Sequence, residues 1–300
     1  STLSTMGALV SCRTRRGPGS VGAGYSLDAA INEAAEAIIR SGSLTTFTGA
    51  GISVESGIPD FRSPGGLWSK YNPGIYCEYN TFCEQPHLFW QMARELALQV
   101  HEANGGGELC NGLKEAAPNA AHQALVDMEQ MGLLSTVITQ NIDSLHQRAG
   151  SNRVIEIHGT MATASCVNTG QQVPQSEILR QWVEFLESNP QSQISTDQWV
   201  PRHPDTQGVL KPDVTMFGEP LPTGALGASW KAVLGSGVCL VVGTGLNVVP
   251  ASLVPGLVKW RWGTLIIANL DTSGVDAANI FLQGPAGTVL PMLVDAVRTK

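Results

Sequence analysis

Residues 48–62 read Thr-Gly-Ala-Gly-Ile-Ser-Val-Glu-Ser-Gly-Ile-Pro-Asp-Phe-Arg and follow directly on a short apolar run, 44–47. Gly49 and Gly51 lack a Cβ, so the chain can turn tightly and bring its N–H groups up to a pyrophosphate. A strand that leads into glycines and then polar residues is how a Rossmann-type sheet receives a dinucleotide. The ordinary G-x-G-x-x-G spacing fails here, because its third glycine would fall at Val54, so this is a nucleotide loop of another kind. Further polar groups recur downstream: Gln140-Asn141-Ile142-Asp143, His158-Gly159, Gly243-Thr244-Gly245 and Asn269-Leu270-Asp271. A carboxylate such as Asp143 can accept hydrogen bonds from a ligand's N–H groups, and a histidine such as His158 titrates near neutral pH and can carry a proton. Each also has an ordinary role, Asp143 as the cap of a helix starting at Ser144, His158 and Gly243-Thr244-Gly245 as turns. His122 and His146 fall on expected helices with no ligand-spaced partner and are read as structural.

The elements that must position these groups alternate. Apolar residues at helical spacing predict a helix over 28–40, ended by Gly42, with a strand at 44–47. A second helix at 120–131 precedes a strand at 133–139 that runs into Gln140. Strands at 238–242 and 264–268 lead into the later glycine and asparagine turns, and 289–297 reads as a closing helix. Helices alternating with short apolar strands imply an α/β fold with a Rossmann-like parallel sheet, and ligands bind outside the carboxyl ends of such strands. The glycine turn at 49–51 and the polar groups at 140–143, 243–245 and 269–271 each lie at such an end. Two stretches break the alternation, 63–117 and 161–212, the latter with one helical piece near 176–186. They read as a second, smaller inserted domain, leaving 28–62, 118–160 and 213–300 to the Rossmann-like domain and 1–27 as a flexible tail.

The chain has 300 residues, 43% of them apolar, and a net charge of −7. That balance argues against nucleic-acid binding, which needs a basic field, and suits basic partners such as lysine-bearing peptides. No stretch approaches the ~20 apolar residues of a membrane span. The six cysteines are scattered without a Cys-x-x-Cys pair, which points to free thiols in a reducing, cytoplasmic setting. The arginine- and serine-rich first 27 residues, with no acid before Asp28, suit a disordered tail or the remnant of an organellar transit segment.

Taken in order, Gly49-Ala50-Gly51-Ile52-Ser53, Gly57-Ile58-Pro59-Asp60-Phe61-Arg62, Thr139-Gln140-Asn141-Ile142-Asp143, His158-Gly159, Lys211-Pro212-Asp213 and Phe217-Gly218-Glu219 resemble the motifs of sirtuins, NAD-dependent protein deacylases, over roughly residues 28–298. The resemblance implies NAD as cofactor, acyl-lysine proteins or peptides as substrates, and nicotinamide, free lysine and O-acyl-ADP-ribose as products. It places Gly49, Ala50, Gly51 and the stretch to Glu55 on the pyrophosphate, and Asp60, Phe61 and Arg62 in a lid over the nicotinamide ribose. It gives Gln140 and Asn141 to the ribose, Ile142 and Asp143 to the carboxamide, and makes His158 the general base with Asn141 beside it. Gly243, Thr244 and Gly245 form the second phosphate loop, and Asn269, Leu270 and Ala286 surround the adenosine. The peptide lies as an added strand against Gly218, Glu219, Leu221 and Val248, with its acyl chain near Thr215, Phe217 and Phe61.

Two departures bear on function. Sirtuins carry a structural zinc on two Cys-x-x-Cys pairs, and the matching positions here are Cys166 with Thr169 and His203 with Thr206. A hydroxyl is a poor zinc ligand, so a structural zinc is not expected and no metal ligand is assigned. The Tyr-x-x-Arg pair by which some members read acidic acyl groups falls on Trp90 and Ala93, with Arg94 one residue late, which favours neutral acyl groups. Protein mono-ADP-ribosyl transfer, or a weakly active NAD-binding interaction module, stay open as alternatives.

Overall fold

The computed structural model describes residues 26–60, 66–106, 115–189 and 198–300. The expectations for Phe61, Arg62 and residues 1–25 lie outside the described residues. Helix α1 (Leu27–Ser41) starts where the Ser26 hydroxyl accepts from Ala29 N, presents Ala30, Ile31, Ala34, Ala35 and Ile38 to the core, and ends at Gly42. Strand β1 (Leu44–Thr48) is buried on both faces, which explains why its sequence runs apolar and threonine-rich instead of alternating. Then follow α2 (Leu67–Lys70), α3 (Pro73–Tyr76), α4 (Tyr79–Glu84), α5 (Pro86–Ala103), α6 (Ala120–Gln130), β2 (Leu134–Thr139), α7 (Leu145–Ala149) and β3 (Val154–Glu156). The chain continues through β4 (Gly159–Cys166), β5 (Gln172–Pro174), α8 (Gln175–Ser188), β6 (Leu210–Val214), α9 (Ala225–Leu234), β7 (Val238–Val242), β8 (Thr264–Asn269), β9 (Ile280–Gln283) and α10 (Ala286–Arg298).

Six strands form a parallel sheet in the order β3-β2-β1-β7-β8-β9. The chain winds outward from β1 to β3, returns, and winds the other way from β7 to β9, so the order reverses between β1 and β7. At such a switch point the two following loops part, opening a crevice at the carboxyl ends of the strands. One face of the sheet packs on α1, α6 and α10 through residues such as Ile38, Leu125, Leu240 and Leu293. The other packs on α9 and the 3₁₀ stretch Pro255–Arg261 through Phe47, Ile138, Val241 and Val258. A separate antiparallel sheet, β5-β4-β6, has its own core with α2, α4 and α5, built on Phe82, Phe89, Trp90, Ile178 and Leu210. The fold is thus the α/β arrangement expected, a parallel sheet with a second, smaller body. The helices expected at 28–40 and 120–131 are present to within a residue or so at each end.

Beneath the crevice lie His122 on α6 and His146 on α7, both buried. Burial makes the imidazolium form costly and pushes His122 down to about 4, against a partly opposing pull from Asp143. His146 is pushed down to about 3 by burial and by the neighbouring His122. Between those values and the ordinary histidine value of 6.5 the unfolded chain binds more protons than the folded one, so stability falls as pH drops through that window. The urea midpoint should therefore hold steady from about pH 8 to 7 and decline steeply below about pH 6.5; a midpoint unchanged down to about pH 5 contradicts this account.

Candidate active site

Two glycine turns make the floor of the crevice. Gly49 N donates to Val242 O at 3.0 Å and Gly51 N to Gly243 O at 2.9 Å, which stitches the turn after β1 to the turn after β7. The approach tolerates no side chain: a Cβ on Gly51 would stand 2.7 Å from Gly243 Cα, and Gly243 itself is left-handed at φ +63°. Asn269, at the end of β8, extends the floor, its Oδ1 accepting from Thr244 N at 3.1 Å and its Nδ2 donating to Thr244 O at 3.1 Å. Gln140, just past β2, donates through Nε2 to Thr244 Oγ1 at 2.9 Å. Four strand ends are thereby tied into one surface.

Ser53 organises the polar wall. Its hydroxyl accepts from Asn141 Nδ2 at 3.0 Å and donates to Asp143 Oδ2 at 2.7 Å, while Asp143 Oδ1 accepts from Leu145 N at 3.0 Å. The N-cap of α7 is Ser144 and not Asp143 as expected; Asp143, one residue earlier, holds the N–H of Leu145 and lines the crevice at once. His158 stands half-buried opposite, its Nδ1 3.3 Å from Gln140 O. A carbonyl can only accept, so the proton sits on Nδ1 and Nε2 carries the lone pair. Burial lowers its pKa against a smaller opposing contribution from that hydrogen bond, which keeps the ring neutral and able to accept a proton near pH 7. Gly159 lets this corner close, because a Cβ there would stand 2.0 Å from Asp213 O.

The loop after β6 forms a third side. Thr215 N donates to His158 O at 2.8 Å, and Phe217 exchanges backbone bonds with Cys77 and Tyr79. Lys211 Nζ lies 2.9 Å from Glu219 Oε2, which also accepts from Met216 N, so the Glu219 carboxylate holds its own loop in shape. Asp213 takes hydrogen bonds from Thr163, Ser165 and Gln172, tying β6 to β4 and β5. These sides enclose a cleft of about 1550 Å³, above the ~300–1,000 Å³ that one small ligand usually occupies, so there is room for a dinucleotide and a peptide side chain together.

Every site residue expected from the sequence and described lines this cleft: Gly49, Ala50, Gly51, Glu55, Asp60, Gln140, Asn141, Ile142, Asp143, His158, Thr215, Phe217, Gly218, Glu219, Leu221, Gly243, Thr244, Gly245, Val248, Asn269, Leu270 and Ala286. What the sequence reading missed is the apolar wall of Met92, Ala93, Leu96 and Ala97 on α5, with Met161 and Leu179 beyond it. The sequence reading takes 63–117 only as a stretch that breaks the alternation and assigns no helix there to carry such a wall. The register proposed for acid recognition is corrected in part. Trp90 is turned into the small core, donating through Nε1 to Leu210 O at 3.1 Å, and only Ala93 of that pair reaches the cleft. Arg94 is 3% exposed, with its guanidinium 5.0 Å over the Trp199 ring, so it points away from the cleft.

The expected zinc positions do not fit a zinc ion. Cys166 Sγ lies 3.4 Å from Thr206 Oγ1, and His203 Nδ1 already accepts from Asp205 N and Thr206 N. No group of three or more His, Cys, Asp or Glu gathers there or elsewhere among the described residues. The glycine turns, Asn269 and the Ser53–Asp143 pair, by contrast, fit a dinucleotide: tight backbone for phosphates and acceptors for a ribose and a carboxamide.

The Sir2 family profile matches residues 49–250. An NAD-dependent protein deacylase of Thermococcus sibiricus is 37% identical over 269 residues, spanning 89% of this chain and 96% of that one.

The chain belongs to the Sir2 family.

A solved Sir2 homologue in complex with NAD superposes at a TM-score of 0.73 with 30% identity, covering 95% of this Sir2 chain and 97% of its own. A Sir2 protein bound to a myristoylated histone peptide superposes at 0.67 with 31% identity, covering 90% and 97%. Because the zinc-site donors are missing from this Sir2 protein, purified material should carry no stoichiometric zinc by elemental analysis, and a chelator should leave its melting temperature unchanged. About one zinc per chain, lost with unfolding on chelation, contradicts this.

Proposed function

We propose that this Sir2 protein is an NAD-dependent protein-lysine deacylase, forming nicotinamide, deacylated lysine and O-acyl-ADP-ribose. The observation that carries the reading is the convergence on one cleft of two glycine turns, a carboxylate held by Ser53 and a neutral histidine with a free lone pair. NAD, when bound, supplies the ribose carbon whose bond to nicotinamide breaks and the hydroxyls that receive the acyl group.

The chain's own residues are assigned as follows. Gly49, Ala50, Gly51 and Glu55 hold the pyrophosphate side, and Gly243, Thr244 and Gly245 the second phosphate loop, with Asn269, Leu270 and Ala286 at the adenosine. Gln140 and Asn141 orient the ribose. Ile142 and Asp143 fix the carboxamide, the carboxylate accepting from its N–H₂ so that the ring leaves along one line. His158 Nε2 accepts the proton of a ribose hydroxyl. Asp60, Phe61 and Arg62 are assigned to closing the nicotinamide side. The peptide strand is assigned to Gly218, Glu219, Leu221 and Val248, and its acyl chain to the space bounded by Thr215, Phe217 and the α5 wall. The net charge of −7 supports lysine-bearing protein substrates and not nucleic acid. No helix among the described residues is long and apolar enough to cross a membrane, and the unpaired Cys77, Cys83, Cys166 and Cys239 support a reducing, cytoplasmic setting.

Incubation with NAD and an acetyl-lysine peptide should release nicotinamide and O-acetyl-ADP-ribose in equal amounts. ADP-ribosylated protein without O-acetyl-ADP-ribose would establish the transferase alternative, and binding of NAD with no turnover the interaction module. His158→Ala should lower kcat by roughly 10²-fold or more while NAD binding is retained; unchanged turnover removes the base assignment.

The α5 wall is apolar; Arg94 faces Trp199, and Arg148, which lines the cleft from α7, is paired with Glu115 at 3.3 Å. A succinyl carboxylate buried there would lose its hydration without a charged partner, which costs several kcal/mol. Acetyl-lysine peptides should accordingly show a kcat/KM at least about 100-fold above succinyl-lysine peptides. Equal or faster desuccinylation overturns this assignment of the wall.

A further inference from the structure

The face of the sheet opposite α1, α6 and α10 carries three exposed tryptophans outside the cleft. It is covered by α9 and the 3₁₀ stretch Pro255–Arg261, whose inward residues Val233 and Val258 fill the core. Outward they show Trp230, 45% exposed, and Trp260, 78% exposed, with Trp262 just past the end of the stretch at 83%. Single exposed apolar residues are ordinary, but three of the chain's seven tryptophans on two adjoining elements make a patch. Arg261 ties those elements together, its Nη1 donating to Leu234 O at 3.1 Å, and Leu234 stands one turn beyond Trp230 on α9.

Trp262 gains little from burial within the chain. It sits in the left-handed region at φ +61°, a conformation disfavoured for a bulky side chain, while most of its surface stays in water. Charge is sorted in the same region. From residue 220 to residue 270 the sequence has no aspartate or glutamate, although the chain carries 25 acids, and the cations of that span are Lys231, Lys259 and Arg261. Lys259 Nζ donates to Ala277 O, and none of the three is in an ion pair among the described residues. Asp276, the residue before Ala277, lies in the flanking turn.

We propose that this face docks on an anionic phospholipid bilayer, the indoles entering the headgroup region and the three cations meeting lipid phosphates and carboxylates. Indole is apolar with a single N–H donor, which suits the boundary between acyl chains and headgroups, and a Lys or Arg beside it reaches the charged layer. Other occupants fit less well. A two-fold contact with a second copy would set the same cations against themselves. Nucleic acid needs many phosphate contacts, and this face offers three cations on a chain of net charge −7. The core of a protein interface is depleted in lysine, whereas an anionic lipid surface attracts it. Lying in the interface asks for no long apolar helix, so the surface is compatible with a chain whose described helices do not cross a membrane.

The full chain should sediment with vesicles containing about 30 mol% phosphatidylserine, with a blue-shifted tryptophan emission, and bind pure phosphatidylcholine vesicles at least about tenfold more weakly. Binding should fall steeply as salt rises towards about 0.5 M. The double variant Trp260→Ala, Trp262→Ala should lose at least about tenfold in vesicle affinity with its melting temperature kept, since both side chains are exposed. The triple variant Lys231→Gln, Lys259→Gln, Arg261→Gln should lose the preference for anionic lipid. Where that variant melts early, quenching of the wild-type emission by lipids brominated in the acyl chain decides the contact, and unquenched emission on bound protein overturns it. The arginines of the first 27 residues are unchanged in both variants, so vesicle binding that survives the tryptophan substitutions lies elsewhere and overturns the proposal. Equal binding to neutral and anionic vesicles, or none to either, overturns it as well; dimerisation or RNA retention lost with the same tryptophans would then name the occupant instead.

Discussion

Two peptide backbones in direct contact, at Gly51 and Gly243, are the constraint on which the rest of the site depends. The sheet order reverses between β1 and β7, and topology alone would leave the loops after these strands free to diverge. The Gly51 N–H to Gly243 O bond closes them at backbone distance, with no room for a Cβ on either side. From that contact outward each neighbour is placed by one further bond: Thr244 through Asn269 and Gln140, and then His158 through Gln140 O. A side chain at Gly51 would separate the two turns and, with them, the supports of the histidine. An unusually spaced glycine motif is explained by what it touches, a second turn, as much as by any ligand.

This accounts for what was legible in the sequence and what was not. The strands β1, β7 and β8 are continuous apolar or threonine runs because the sheet is covered on both faces, and such runs ending in glycine or asparagine are readable without a structure. The closing strand β9, Ile280–Gln283, was not read, because four residues beside a glycine carry too little periodicity to separate from a loop. Asp143, Asn141 and His158 were nameable from type and order, but Ser53 as the common partner of Asn141 and Asp143 was not, since a serine inside a glycine-rich stretch has many ordinary uses. The α5 wall was hidden for another reason. Trp90 is given wholly to the small core and Ala97 to the cleft, while Phe89, Met92, Ala93 and Leu96 touch both, and a helix apolar on two sides says nothing about which side meets which neighbour.

The small body shows how the fold survives the loss of a metal's donor set. In its two turns the backbone closes on itself, Gly170 N to Cys166 O and His203 N to Gly208 O, and Cys166 hydrogen-bonds to Thr206 where two thiolates would otherwise face one ion. Hydroxyl hydrogen bonds hold the Cys166 thiol down to about 7, below its ordinary value. Packing supplies the rest: Trp90 sits edge-on to both Phe89 and Trp199, the latter also carrying the Arg94 guanidinium on its face. An arginine occupied in stabilising the core in this way is withdrawn from substrate selection.

The division of the cleft into a polar and an apolar half follows from the same architecture. Strand ends of a parallel sheet offer N–H groups, carbonyls and short polar side chains, all pre-set by the ladder behind them, so the dinucleotide half is built there and needs little rearrangement to work. The inserted helices can offer only side chains, and α5 offers alanine, leucine and methionine. His158 lies on the seam, at the point where β3 ends and β4 begins, and burial lowers its pKa. A histidine at that seam is neutral because it is half-buried and oriented because Gln140 O holds its other nitrogen, so the two conditions that the proposed base needs come from one placement.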